Sequence, residues 1–251
     1  MKIARPFIVI SLLFFYNVSV SQNLDKRGRE FFILGTLRDY MGRQQDPRDS
    51  SLFDRYYVGE DRLVMAIDSI LKCDYPSDIY HINKHIGRDS LATYQIFSSK
   101  LVKTVDAYYN FEQSGSSTVS DDPDLNHLPI LTGRLKENIF KNDNDKLAFL
   151  AGVYVRFGRP NDTSFLISMG NSLSKTSVCL ELLKEFNCKP SLTILYNIPT
   201  IFQVYFHPNE MVGAYLKNYM YLRKGINDDL ESIDRILYKK YNKQIPAKPS
   251  R

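Results

Sequence analysis

Tryptophan is missing from this 251-residue chain, and cysteine occurs three times. An odd and small cysteine count excludes a disulfide-dense scaffold. Glycine (12) and proline (11) are too sparse and too scattered for a collagen-like or low-complexity chain. The apolar run Phe7–Tyr16 covers about half of the roughly 20 residues that span a bilayer as a helix. Three motifs are also missing. There is no Gly-x-Ser-x-Gly elbow, no Gly-x4-Gly-Lys phosphate loop and no Gly-x-Gly-x2-Gly dinucleotide turn. Their absence argues against the common serine esterases and nucleotide enzymes. What is present is globular: 43% hydrophobic residues, 24% charged residues, 17 Tyr and 15 Phe.

The amino terminus carries the order of a secretory signal. Lys2 and Arg5 are followed by Phe7–Tyr16 without a charge, then by small and polar residues with Ser19 and Ser21 at signal-peptidase spacing. Cleavage after Ser21 is expected, with an uncleaved anchor as the alternative, because Asn17 and its polar neighbours stop the apolar run. Loss of Lys2 and Arg5 lowers the formal charge from +5 to +3. So mild a net charge gives no sign of a nucleic-acid binder. The basic clusters, Lys26, Arg27 and Arg29 and then Lys239, Lys240, Lys243, Lys248 and Arg251, lie near the two ends. They read as solvated termini. The expectation is an exported protein, secreted or periplasmic, with an unknown protein or envelope ligand, no nucleic acid and no stable membrane anchor.

Periodicity predicts an α+β chain in four parts: a signal peptide (1–21), a helical region (22–112), a linker or long loop (113–129) and an α+β region (130–251). In the second part Phe31, Leu34, Leu37 and Met41 recur at helical spacing, and so do Leu63, Ile67, Ile70 and Leu71. A short helix is expected over 77–87 and a longer one over Leu91–Tyr108. Residues 113–124 are rich in Ser, Gly and Asp and break the pattern. Beyond them, Leu131–Lys141 suits a helix. Leu147–Phe157 and Phe165–Met169 suit a hairpin about the turn cluster 158–162, although Leu147–Ala151 also suits a helix. Leu192–Tyr196 and Ile201–Phe206 form a second strand pair, and Asn209 suits a helix cap. Thr163–Met169 echoes Thr200–Phe206, and each precedes a helix cap. Two strand-pair/helix units in a small mixed or antiparallel sheet follow from that echo.

Several residue groups could carry chemistry. On a helix, Asp78, His81 and His85 would share one flank within about 60° and could ligate zinc. The intervening Ile82-Asn83-Lys84 lacks the glutamate base of zinc proteases. Asp122, Asp124 and Asn126 alternate like calcium ligands, but His127 and Gly133 replace the turn glycine and the bidentate glutamate. Ser172 and Lys175 match the Ser-x-x-Lys spacing of acyl-serine enzymes, as do Ser69 and Lys72. His207 could pair with Cys179 or Cys188, while Cys73 could bridge to either cysteine. None of these satisfies nucleophile, base and oxyanion needs together. The leading expectation is therefore a non-catalytic binding or interaction module, with no cofactor. The runner-up is a metal-dependent hydrolase that uses Asp78, His81 and His85, and a third possibility is a structural envelope protein.

Overall fold

The computed structural model describes residues 24–45, 50–87, 91–116, 129–160 and 164–242. The expected signal peptide and the calcium-like stretch at Asp122–Asn126 lie outside them. The fold is α+β, with seven helices and three small antiparallel sheets among the described residues.

Two helices form its axis. Helix α1 (Lys26–Thr36) starts at Asp25, whose Oδ1 accepts from the Gly28 amide. A second central helix (Asp143–Phe157) starts at Asn142, whose Oδ1 accepts from the Asp145 amide. Ten residues after each cap stands a glycine, Gly35 in one and Gly152 in the other. Three residues before each glycine stands a phenylalanine, Phe32 or Phe149. These repeats meet. A Cβ on Gly35 would lie 2.2 Å from the Phe149 carbonyl oxygen, and one on Gly152 would lie 2.0 Å from the Phe32 carbonyl oxygen. The contact is reciprocal, as an approximate two-fold requires. The two helices run parallel, because Arg27 pairs with Asp145 at one end and Arg156 reaches the Thr36 carbonyl at the other.

Around this pair the chain repeats an order of strands and helices. After α1 come β1 (Arg43–Gln45), β2 (Leu52–Tyr56), α2 (Asp61–Asp74), β3 (His81–Ile86) and β4 (Ala92–Phe97). Next come α3 (Ser99–Asp106), β5 (Tyr109–Ser116) and β6 (Pro129–Leu135). The second central helix is therefore α4. After it come β7 (Gly158–Pro160), β8 (Phe165–Gly170), α5 (Leu173–Glu185), β9 (Ser191–Leu195) and β10 (Ile201–Phe206). Helices α6 (Glu210–Lys217) and α7 (Met220–Asn242) complete the described chain. The first sheet has the order β1-β6-β5, the second β2-β4-β3, and the third β7-β8-β10-β9. One core cluster joins residues from Leu24 to Ile226.

The two strand-pair/helix units are found as expected, and they share one sheet. The echoing strands pair with each other, with Phe202 opposite Met169 and Val204 opposite Ile167. Asn209 does cap α6, by accepting from the Val212 amide.

Other expectations are corrected. Residues 22–112 hold five strands as well as three helices. The Leu91–Tyr108 helix divides into β4 and α3, where Ser98 accepts from the Leu101 amide and caps the shorter helix. The first half of Leu131–Lys141 belongs to β6, which ends at Leu135 and pairs with β5, and β5 itself takes in Gln113–Ser116. Leu147–Phe157 belongs to α4. Nearly all of α4 is buried, so it has no polar face to betray its period.

The glycine contact generates the first prediction. Gly35→Ala and Gly152→Ala would each drive a methyl into backbone, which cannot rotate away. Each substitution should lower stability by about 3 kcal/mol, at or above the upper end for overpacking, although alanine favours helices intrinsically. The double substitution should cost less than the sum, because separation of the helices relieves both sites. Urea denaturation of the three variants measures this.

Candidate functional site

The last carbonyls of a helix need donors, and the C-terminal ends of α1 and α4 are brought together inside the protein. Three buried cations supply these donors. Lys175, at the start of α5, donates from Nζ to the carbonyls of Leu34, Gly35 and Leu37. Arg156 donates to the Thr36 carbonyl at 2.8 Å and to the Arg55 carbonyl at 2.7 Å. Arg223 of α7 donates to the carbonyls of Val155 and Arg156 at 3.0 and 2.7 Å.

Carboxylates balance these charges. Arg156 pairs with Asp54 at 2.6 Å and Glu60 at 2.9 Å. Burial opposes its charge, but those two carboxylates win and hold the guanidinium above its ordinary value. Asp39 accepts from the Lys175 amide at 3.1 Å. Burial raises Asp39 to about 6 against the attraction of Lys175. Burial also lowers Lys175 to about 8, with Asp39 opposing. Arg43 pairs with Asp106 at 2.5 Å. Where the two helices end, Asp54, Glu60 and Asp106 are thus engaged by cations and Asp39 Oδ2 by an amide, while Asp39 Oδ1 is buried without a hydrogen-bond partner. Among the described residues no three His, Cys, Asp or Glu side chains are grouped to hold a metal ion.

The sheets carry the accessible polar chemistry. In the third sheet, Ile167, Met169, Val204 and Phe206 point into the core. Strand alternation turns Arg159, Ser168, Gln203 and Tyr205 to the opposite face, along with Ser191, Thr193 and the half-buried Leu166, Leu195 and Ile201. The Tyr205 hydroxyl donates to Gln203 Oε1 on that face. No carboxylate lies on it. In the first sheet, Gln44, Asn110, Thr132 and Arg134 share the outer face with Glu112. A cleft of about 580 Å³ runs between Thr132 and Arg134 of β6 and Ser174, Ser177 and Thr200 across from them.

The residues singled out from sequence are scattered. His81 and His85 lie on strand β3, not on a helix. They share a face there, but four residues of strand separate them by about 13 Å, too far to bind one ion. Asp78 precedes the strand and is exposed. His81 stacks on Phe97 at 5.0 Å. The spacings of three and four that suggested a helix coincide here with alternation, since His81, Asn83 and His85 are also two apart. Ser172 caps no amide of α5, and Lys175 reaches the α1 carbonyls instead of the serine. Lys72 pairs with Asp68 at 2.6 Å rather than serving Ser69. The three cysteines are free. Burial holds the Cys179 thiol up at about 12, which removes it as a nucleophile. Cys188 Sγ accepts from the Asn209 amide. The His207 amide donates to the Cys188 carbonyl, while its side chain is exposed.

Sequence reasoning missed the central pair. Its signal was the shared Phe-x-x-Gly, ten residues from an Asp or Asn cap, at Phe32–Gly35 and Phe149–Gly152.

No protein family and no curated protein matches this chain. Solved structures do match in fold. One is the homing endonuclease I-DmoI in complex with DNA and calcium, at 10% identity and a TM-score of 0.47, over 73% of this chain and 84% of that one. Another is I-DmoI in complex with DNA and manganese, at 13% identity and a TM-score of 0.47, over 80% and 97%. A third is full-length WhiA from Thermatoga maritima, at 11% identity and a TM-score of 0.47, over 93% of this chain and 68% of that one.

The expectations of a non-catalytic module with an envelope or protein ligand, and of no nucleic acid, stand against the DNA complexes among these structures. That exclusion rested on net charge, which averages over the whole surface and misses a local face free of carboxylates. The runner-up, a hydrolase built on Asp78, His81 and His85, fails on the geometry of β3. Among the described residues no helix is long and apolar enough to cross a membrane.

Buried Lys175 yields a prediction with a definite sign. Its proton leaves at about 8 in the folded chain, against an ordinary value of 10.5. Between these values the unfolded state binds more protons, so stability rises with pH, by at most about 1.4 kcal/mol per pH unit. Lys175→Met should remove that rise between pH 8 and 9.5. It should also cost about 2–4 kcal/mol at pH 7, because it strands three carbonyls and removes the positive charge beside buried Asp39. Denaturant titrations of both proteins across this range provide the measurement.

Proposed function

We propose that this chain binds double-stranded DNA through the outer face of its β7-β8-β10-β9 sheet. The observation that carries this reading is the chemistry of that face. Arg159, Gln203, Tyr205, Ser168, Ser191 and Thr193 stand on it around the half-buried Leu166, Leu195 and Ile201, with no carboxylate. These side chains suit contact with base edges and phosphates. Arginine fits guanine bidentately, glutamine fits adenine, and hydroxyls serve either bases or phosphate oxygens. An antiparallel ribbon enters the major groove of B-form DNA, about 12 Å wide, whereas the deep, narrow major groove of A-form RNA excludes it. The outer face of the first sheet, with Gln44, Asn110, Thr132 and Arg134, repeats this chemistry with one carboxylate, Glu112.

Beside the two helix ends, Asp54 and Asp106 are paired with Arg156 and Arg43, while Asp39 accepts from the Lys175 backbone amide through Oδ2.

Fluorescence anisotropy with a labelled 30-base-pair duplex tests the proposal. Binding should be seen at 50 mM salt and should weaken steeply towards 200 mM as phosphate contacts are screened. The Arg159→Ala, Gln203→Ala double variant should bind about 10- to 100-fold more weakly, since each lost base contact costs about 1–3 kcal/mol. Absence of wild-type binding at 50 mM salt, or full affinity in the double variant, would overturn the reading.

A further inference from the structure

Beyond the polar sheet face stands an apolar projection that the fold does not use. Strand β9 ends at Leu195 and β10 begins at Ile201, and these two residues are paired. The connection between them reads Tyr196-Asn197-Ile198-Pro199-Thr200 and carries no charge. Tyr196 is 87% exposed, and Ile198 is fully exposed. Elsewhere in this sheet large apolar side chains are buried or half-buried, apart from Leu192 at the edge.

The base of the projection is fixed. The Asn197 amide donates to the Leu195 carbonyl at 2.9 Å, and the Asn171 amide donates to the Thr200 carbonyl at 2.7 Å. Pro199 lies against Gly170 of β8, about where a Cβ on that glycine would make ordinary contact. The side chains at the tip are therefore held out by a tied backbone. Leaving an aromatic ring and an isoleucine in water is unfavourable, and a monomeric fold commonly turns such residues inward.

We propose that Tyr196 and Ile198 form a wedge that enters a base step of duplex DNA and bends it. The inference rests on the DNA-binding reading of the adjoining sheet face. The tip continues the same hairpin that carries Thr193 and Gln203, so a duplex seated on that face meets it. An uncharged tip approaches phosphates without repulsion. An aliphatic side chain slid between bases partly unstacks them, and an aromatic ring replaces part of the lost stacking. Pyrimidine–purine steps unstack most readily and should be preferred.

The test uses the full chain and a 30-base-pair duplex with a central TA step. 2-Aminopurine sits at that step, and a fluorophore pair sits at the two ends. Binding of the wild-type protein should raise 2-aminopurine emission at least two-fold and shorten the end-to-end distance. The Tyr196→Ser, Ile198→Ser double variant alters only exposed side chains. It should bind within about five-fold of wild type and lose both signals. Wild-type binding without an emission rise overturns the wedge and leaves the sheet-face reading standing, and so does a variant that keeps both signals. No wild-type binding at 50 mM salt overturns the sheet-face reading and the wedge with it.

Discussion

The rest of the structure depends on backbone meeting backbone at Gly35 and Gly152. A parallel helix pair this close brings its last carbonyls together, away from water. Those carbonyls require donors, and the donors that can reach them are long cations. Lys175 comes from α5, Arg156 from α4 itself and Arg223 from α7, so two further helices are tied to the helix ends. The cations in turn require carboxylates, which Asp39, Asp54 and Glu60 provide. Such a network gives little net stability, because each ion loses its hydration. Its effect is to fix one arrangement. Any shift of the helix ends leaves a buried charge or a carbonyl without its partner.

The outer surface follows from the same centre. The three sheets lie around the central helices, and the first and third each give one side to the core. Strand alternation then leaves a polar side facing outward. On the third sheet that side carries arginine, glutamine, serine, threonine and tyrosine around three half-buried aliphatic residues, Leu166, Leu195 and Ile201. That composition favours directed hydrogen bonds over bulk charge, as the proposed contact with DNA requires of a chain of modest net charge.

The legibility of the sequence varied with the kind of pattern. Strands β8, β9 and β10 were readable because alternation and turn residues agreed, and so was the Asn209 cap. The 77–87 segment was misread because His81 and His85 fit a helical turn and a strand face equally well. Only the pairing of β3 with β4 decides between them, and that is a long-range fact. Helix α4 was hidden for the opposite reason, since burial on all sides erased its stripe. The glycine repeat was visible, but its meaning needs two distant segments to be seen in contact. The ion network was illegible throughout. Lys175 and Leu37 lie 138 residues apart in sequence, and no local signal links a lysine to a carbonyl at that distance.

A rigid centre and an adaptable surface divide the work of recognition. Reading base edges requires side chains held to within a fraction of an ångström, and loops seldom offer that precision. Here the readers stand on strands whose opposite faces are locked into one core. That core is positioned by two glycines that tolerate no displacement. On the proposed reading, sequence preference would change through Gln203 or Arg159, which stand on the sheet face opposite the core. The converse also holds. A change at Gly35 or Lys175 alters no contacting atom, yet it moves every reader at once.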